Sequence, residues 1–284
     1  MGEQVKHMLE DYKVRYGKLV EYIRKLGKVA VACSGGVDST ALLLAASEAF
    51  LNDPEKVRGF MVFSCFEDEE MAEGDLKILR NIGTEISRIS LNPLDSKDIR
   101  ENREDRCYYC KKFIFSTILK EAEKMGEGVF LLEGSNADDD PGDRPGTRAL
   151  SEMKILSPLR ELGIGKADVR SILKEKNIEN WDKPSQSCLA TRIPHGHEIS
   201  MEALSRVNGC EKVLKSLGFR QCRVRVAGSC ASIEVLAEEI SVLRKGDNPD
   251  MIRRGFGKFG IEKIEIKPDG FHPERRHEAV EYMR

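Results

Sequence analysis

The stretch from Lys28 to Phe50 leaves this chain few ways to fold. An apolar run, Lys-Val-Ala-Val-Ala-Cys (28–33), reads as a short buried strand. Ser34-Gly35-Gly36-Val37 breaks it with a tight turn, and Asp38 to Phe50 reads as a helix. Strand, glycine turn and helix in direct succession make the opening unit of a parallel sheet. The turn also has a chemical meaning. Two glycines let the backbone approach an anion closely and take conformations closed to residues with a Cβ. The N–H groups at the helix N-terminus, at the positive end of the helix dipole, stabilise negative charge. Ser34, Gly35, Gly36, Asp38, Ser39 and Thr40 are therefore candidate phosphate-binding residues, three of them adding hydroxyl donors. Asp38 beside a phosphate calls for a divalent cation between them, so Mg²⁺ is expected there. The bland alternative is a Gly-Gly turn with an aspartate near a helix start. The Gly-x-x-x-x-Gly-Lys-[Ser/Thr] phosphate loop is absent from the sequence.

The pattern continues along the chain. Val5, Met8, Tyr12, Leu19, Ile23 and Leu26 recur at helical spacing, which predicts an amphipathic helix over the first 26 residues. Strands are predicted at 60–63, 85–91 and 129–132, with a weaker one at 155–156, and helices at 68–82 and 111–124. Alternation of this kind argues for an α/β domain whose parallel sheet is covered on both faces. From Glu179 to Glu198 the periodicity lapses into a long connection containing Trp181, Pro184, Cys188 and Pro194. An irregular stretch of that length inside a compact domain is usually functional or disordered. After Ser200 a helix (201–217), strands at 221–226 and 231–235, a helical region and a strand at 261–266 read as a small α+β domain. The expected organisation is thus 1–198, then 199–267, then a charged, loosely packed tail, 268–284.

At SGGVDS the chain resembles the PP-loop (N-type) ATP pyrophosphatase superfamily, which adenylates carbonyl oxygens and releases pyrophosphate. The resemblance implies ATP as substrate, with adenine near Val62 to Ser64. It also implies a contact from the loop Gly134-Ser135-Asn136-Ala137-Asp138, Gly134 foremost. Further segments narrow the family: Asp105-Arg106-Cys107-Tyr108-Tyr109-Cys110-Lys111, Gly142-Asp143-Arg144-Pro145-Gly146, Ser157-Pro158-Leu159, Trp181-Asp182-Lys183-Pro184 and Cys188-Leu189-Ala190-Thr191-Arg192-Ile193-Pro194. Together these are similar to the LarE family, ATP-dependent sulfur transferases of nickel-pincer cofactor synthesis. The resemblance implies that a pyridinium biscarboxylate mononucleotide is adenylated on a carboxylate. A cysteine sulfur at the position of Cys188 then displaces AMP, and carbon–sulfur cleavage leaves a thiocarboxylate. It implies a homo-oligomer as well. The family's usual C-terminal ending is not recognisable in residues 268–284.

Elementary chemistry points the same way. A carboxylate is a poor electrophile until AMP is made its leaving group, and a thiolate is the best nucleophile among these side chains. Arg192, four residues after Cys188, could favour the thiolate or hold a phosphate. Arg223 and Arg225 alternate in a predicted strand and so share a side. The pair suits a phosphate clamp and matches an R-V-R stretch of the family; a solvated strand face is the alternative.

Cys107 and Cys110 leave three readings open. With Cys188 they supply three thiolates, which suits a [4Fe-4S] cluster whose fourth iron holds a replaceable sulfide. With His195 or His197 they could make a zinc site. Or Cys188 gives up its own sulfur, and the other two are structural. Cys33, Cys65, Cys210, Cys222 and Cys230 are expected in the core.

Composition bounds the competing functions. The 284 residues carry 46 Lys and Arg against 48 Asp and Glu, a net charge of -2. That balance lacks the broad basic surface a tRNA thiolase of the same superfamily would need, so nucleic acid is not expected as a partner. A non-catalytic ATP-binding module is the other alternative, and the intact SGGVDS and Cys188 argue against it. The longest near-apolar stretch, Thr40 to Ala46, cannot span a bilayer and no signal-peptide core is present, so a cytoplasmic protein is expected.

Overall fold

The computed structural model describes the backbone of residues 2–139 and 145–271 and the side chains of 11–139 and 146–271. Residues 142–144 of the Gly-Asp-Arg-Pro-Gly segment and 272–284 of the tail lie outside the described residues. In chain order the elements are α1 (Gly2–Leu26), β1 (Val29–Cys33), α2 (Val37–Ala49), β2 (Val57–Phe63), α3 (Glu69–Arg80), β3 (Ile86–Ser90), α4 (Lys97–Arg100), α5 (Arg106–Ala122), β4 (Phe130–Leu132), α6 (Pro145–Glu152), α7 (Pro158–Glu161), α8 (Lys166–Glu175), α9 (Met201–Ser216), β5 (Cys222–Ala227), β6 (Cys230–Val235), α10 (Ile240–Leu243), α11 (Asn248–Gly257) and β7 (Lys263–Ile266). They fall into two compact units. The first takes residues 1–64, 69–91 and 107–185; the second takes 65–68, 92–106 and 186–284. Among the described residues no helix is long and apolar enough to cross a membrane.

In the first unit four strands form an all-parallel sheet in the order β3-β2-β1-β4. A parallel sheet with both faces covered needs apolar side chains on both, and these strands supply them. Val29, Val31, Cys33, Met61 and Phe63 join one core with Tyr12, Tyr16, Leu19 and Ile23 of α1, with α2, and with Val169, Ile172 and Leu173 of α8. Ala30, Phe60 and Ile89 point the other way and pack with Phe115, Ile118 and Ala122 of α5. The helix α2 lies deep: its Ala41 to Ala46 stretch is buried on every face, and each fully buried leucine there contributes roughly 1.5–3 kcal/mol.

The strand order fixes where a ligand can bind. From β1 the chain steps outward through β2 to β3, then returns to the opposite side of β1 for β4. Between β1 and β4 the winding reverses, and the loops leaving their carboxyl ends part to form a crevice. The Ser-Gly-Gly turn leaves β1 there, and the loop from Gly134 leaves β4 beside it.

In the second unit β5 and β6 pair antiparallel and β6 and β7 parallel, in the order β5-β6-β7. The α/β parallel sheet and the separate small mixed sheet both follow the sequence reading. Three details differ. Ile155-Leu156 forms only a single bridge, Leu132 to Leu156, and not a strand. The helix predicted from Lys111 begins at Arg106, so the Cys-x-x-Cys segment lies within its first turns. Finally, α4, α6, α7 and α8 have no counterpart in the sequence reading.

Candidate functional site

Gly35 makes the turn possible. Its φ of +72° belongs to the region glycine favours, and a Cβ there would lie 2.5 Å from the Asp75 carboxylate of α3. Gly36 is the N-cap of α2 and supplies no side-chain acceptor, so the amides of the first turn have no internal cap. The hydroxyls brace the loop from within. Ser34 N–H donates to Ser39 Oγ at 3.1 Å, while Ser39 Oγ and Thr40 Oγ1 donate to Gly36 O at 3.1 and 2.9 Å. The result is a rigid ring with uncapped amides at a helix N-terminus, a form suited to an anion.

Gly134 closes the ring from the β4 side. A Cβ on it would meet Ser39 N at 2.9 Å and Asp38 C at 3.2 Å, so only glycine fits against the first turn of α2. Glu133, buried just before it, accepts from Ser135 N at 3.0 Å and Ser135 Oγ at 2.9 Å, and from Ser157 Oγ. Asn136 then donates from Nδ2 to Asp38 Oδ1 at 3.2 Å, and Lys166 Nζ pairs with Asp38 Oδ2. Burial pushes the Asp38 carboxyl above the ordinary carboxylate value; Lys166 and Asn136 pull it back only in part, and Asp139 adds to the rise.

A second ion pair supports the turn from the other side. Lys183 donates to both oxygens of Asp75 at 2.5 Å and to Gly35 O at 3.2 Å. Burial raises the Asp75 carboxyl, against the pull of Lys183. Asn180, 5% exposed, donates to Thr40 Oγ1 at 3.0 Å and Gly35 O at 3.4 Å. Val62 and Ser64, at the carboxyl end of β2, are half-buried next to β1.

Sequence reasoning named the turn residues and Gly134, as nucleotide contacts, but missed these supports. Lys183 stood in the Trp-Asp-Lys-Pro segment and was the one discoverable signal. Asn180, Asp75 and Lys166 come from stretches with no motif.

The cysteines divide between the units. Cys107 and Cys110 are half-buried and three apart in the first turns of α5, hence on one helix face. Cys188 belongs to the second unit and caps a 3₁₀ turn, Leu189–Arg192. Among the described residues no group of three or more His, Cys, Asp or Glu side chains is gathered as a metal ion needs. His195 Nδ1 lies 3.1 Å from Asn102 O, both in the second unit. Of the five cysteines expected in the core, Cys33, Cys210 and Cys222 are buried, and burial pushes each thiol up to about 12. Cys65 and Cys230 are only half-buried. Cys65 follows β2 and donates to Asn92 Oδ1 at 3.4 Å, and Cys230 starts β6 on the wall of a cavity of about 490 Å³.

The Cys188 loop is held from below by Asn102 and Arg106, both essentially buried. Arg106 donates to Asn102 Oδ1 at 2.5 Å and Ala190 O at 2.9 Å; Asn102 Nδ2 donates to Pro194 O at 2.8 Å. Arg192, 5% exposed, forms a two-pronged pair with Glu211 at 2.7 and 3.2 Å and donates to Ser187 O, Thr191 Oγ1 and Cys188 O. Removal from water works against its charge, and attraction to Glu211 overcomes that cost. Arg225 pairs with Glu234 at 2.8 Å and donates to Thr191 O at 3.1 Å, while Arg223 stacks 4.3 Å from the Phe271 ring centre. Both are buried, which removes the solvated-strand alternative.

No protein-family model matches the chain. Three relatives align over most of its length. An uncharacterized protein of Synechocystis is 31% identical over 89% of this chain and 93% of its own. The pyridinium-3,5-bisthiocarboxylic acid mononucleotide synthase of Lactiplantibacillus plantarum is 30% identical over 92% of this chain and 93% of its own. An uncharacterized protein of Methanocaldococcus jannaschii is 31% identical over 84% and 88%.

Proposed function

Because the chain belongs to the LarE family, that of the pyridinium-3,5-bisthiocarboxylic acid mononucleotide synthase, we propose that it is an ATP-dependent sulfur transferase acting on the biscarboxylate mononucleotide. The single observation that carries the ATP half of the reading is the meeting of Gly134 with the first turn of α2 at the sheet's switch point. That meeting builds an uncapped, glycine-walled amide cradle with Asp38 on its rim. ATP lays its phosphates in the cradle and its adenine toward Val62 to Ser64. Asp38 fits Mg²⁺ as a buried carboxylate beside that cradle, and the ion would neutralise the phosphate charge when bound.

A carboxylate oxygen of the substrate attacks the α-phosphorus, and pyrophosphate leaves against the helix N-terminus, which stabilises its growing charge. The acyl-adenylate then meets a sulfur nucleophile at Cys188 and releases AMP. In the sacrificial route the Cys188 thiolate forms a thioester, and breaking its Cβ–S bond leaves sulfur on the substrate. The alternative route puts a [4Fe-4S] cluster on Cys107, Cys110 and Cys188, although among the described residues no three such side chains are gathered to hold a metal. Such a cluster, when bound, would supply a replaceable sulfide. Arg223 and Arg225 would reach the substrate's phosphate only by giving up their present partners, the Phe271 ring and Glu234 with Thr191 O, and Arg192 keeps the Cys188 loop folded. Free thiols at work in the reaction fit a reducing compartment such as the cytoplasm.

The test is the fate of ATP. With substrate and Mg²⁺ the protein is expected to form AMP and pyrophosphate, and Asp38→Ala to lose that conversion at least a hundredfold while keeping its circular dichroism. Formation of ADP and phosphate instead would refute the assignment.

A further inference from the structure

We infer that the second unit carries a binding site for a small organic carboxylate with an aliphatic body, in a cavity walled by α9 and by the hairpin of β5 and β6. The cavity holds about 490 Å³, within the size range of small-molecule sites. None of the residues assigned to the reaction above lines it.

Its walls are mostly aliphatic. Ile193 and Pro194, where the chain leaves the Cys188 turn, and Val226 of β5 are buried, and Ala203 of α9 is half-buried. Such a surface is poorly solvated by water and gains from an apolar occupant. Gly228, in the hairpin turn at a φ of +54°, leaves room on its side, for a Cβ there would meet nothing within 4 Å.

Arg206 supplies the charge. Its Nε donates to Phe259 O at 2.8 Å, and its Nη2 to Gly228 O at 2.6 Å and Gly260 O at 3.3 Å. Three main-chain carbonyls thus fix the guanidinium without neutralising it. Among the described residues its Nη1 has no partner and no carboxylate pairs with it. Glu198, the carboxylate on the same wall, is taken by Arg100 at 3.1 Å, and its side chain is 68% exposed. His197, also on the wall, is exposed and brings no negative charge. The pinned cation is therefore the uncompensated charge of the cavity. A carboxylate answers it with short, charge-assisted hydrogen bonds. A bare inorganic anion would satisfy Arg206 and leave the aliphatic walls wet; an alkyl carboxylate covers both.

Cys230, half-buried at the start of β6 on the same wall, reports occupancy. The full chain is alkylated with iodoacetamide in the presence of octanoate, octanamide or acetate, and each cysteine is followed by peptide-resolved mass spectrometry. Octanoate is expected to slow Cys230 at least fivefold and to leave Cys65, half-buried but off this wall, unchanged. Octanamide, which lacks the charge, and acetate, which lacks the body, should each need at least tenfold higher concentration for the same protection. Ala203→Phe, filling the cavity from α9, should slow Cys230 with no probe present and abolish the octanoate effect. Arg206→Gln should bring octanoate level with octanamide. If that variant loses its cooperative melting transition, having released three carbonyls, the wild-type ratio of octanoate to octanamide decides together with Ala203→Phe. Equal protection by octanoate and octanamide, or of Cys230 and Cys65, overturns the site. So does a Cys230 that never reacts, or reacts only on dilution, since the cavity is then closed or covered by another copy of the chain.

Discussion

At Gly134 one hydrogen atom separates a fitted loop from a blocked one. Its missing Cβ would stand 2.9 Å from the Ser39 amide nitrogen, which is backbone at the first turn of a buried helix and cannot yield like a side chain. Gly134→Ala must push the β4 loop off α2, and overpacking of this kind costs roughly 1–3 kcal/mol. The expected result is a melting midpoint a few degrees lower and ATP binding weakened at least tenfold, measured by scanning and titration calorimetry. Binding unchanged within twofold would mean that the cradle does not depend on this approach. Gly134 was named in the sequence only through the family resemblance, as a nucleotide contact; by itself its loop reads as a polar turn, and its packing on α2 carried no signal. The pairing of Asn136 and Lys166 with Asp38 was not legible, since a polar residue in a loop or at a helix start says nothing of which carboxylate it will reach some hundred residues away in sequence. Glu133 was hidden for the opposite reason. A lone glutamate at a strand end suggests solvent, yet here three serine donors satisfy it in the interior.

Elements were legible in proportion to their periodicity. Helix α1 has apolar residues at steady helical spacing and was placed to the residue at its C-terminal end, where Gly27 takes a φ of +83°. Helix α5 was read five residues short because the aromatic pair Tyr108-Tyr109 breaks the apolar stripe. The tyrosines are held from outside instead, Tyr108 by Glu152 at 2.6 Å and by Arg148 over its ring. Helix α8 is short and charged, and three residues, Val169, Ile172 and Leu173, anchor its buried face; a pattern so brief vanishes among its lysines. The turn after Cys188 is the least periodic element, and its shape comes from tertiary partners. Arg192 knits it from inside and Glu211 of α9 holds Arg192, both nearly out of water. Glu211→Ala would strand that guanidinium, a loss expected to cost about 3–5 kcal/mol. Urea denaturation followed by circular dichroism checks it. The paired change Arg192→Met with Glu211→Leu should recover most of the stability, because it strands no charge. Failure of the pair to recover would show that the turn needs the ions themselves.

At the scale of the whole molecule, the residues of the proposed activation and of the proposed sulfur transfer come from different compact units. The first unit carries the glycine-walled amide cradle and Cys107 with Cys110; the second carries Cys188. In the proposed reaction, adenylation and sulfur delivery therefore draw on different parts of the chain and should be separable. Cys188→Ala is expected to form AMP and pyrophosphate with substrate present yet no thiocarboxylate, because Asp38 and the cradle are untouched. The protein's mass after turnover then identifies the source of the sulfur. If Cys188 surrenders its own atom, the chain becomes lighter by about 34 Da, the mass of H₂S lost as cysteine turns to dehydroalanine, and each chain reacts once. If the sulfur comes from a cluster held by Cys107, Cys110 and Cys188, the mass stays constant and turnover repeats when sulfide is supplied. Anaerobically prepared protein should then carry close to four irons, a number lowered by changing any of the three cysteines. Mass spectrometry before and after reaction, with sulfide added or withheld, separates the two routes. Thiocarboxylate made at the wild-type rate by Cys188→Ala would contradict both and move the sulfur site elsewhere in the chain.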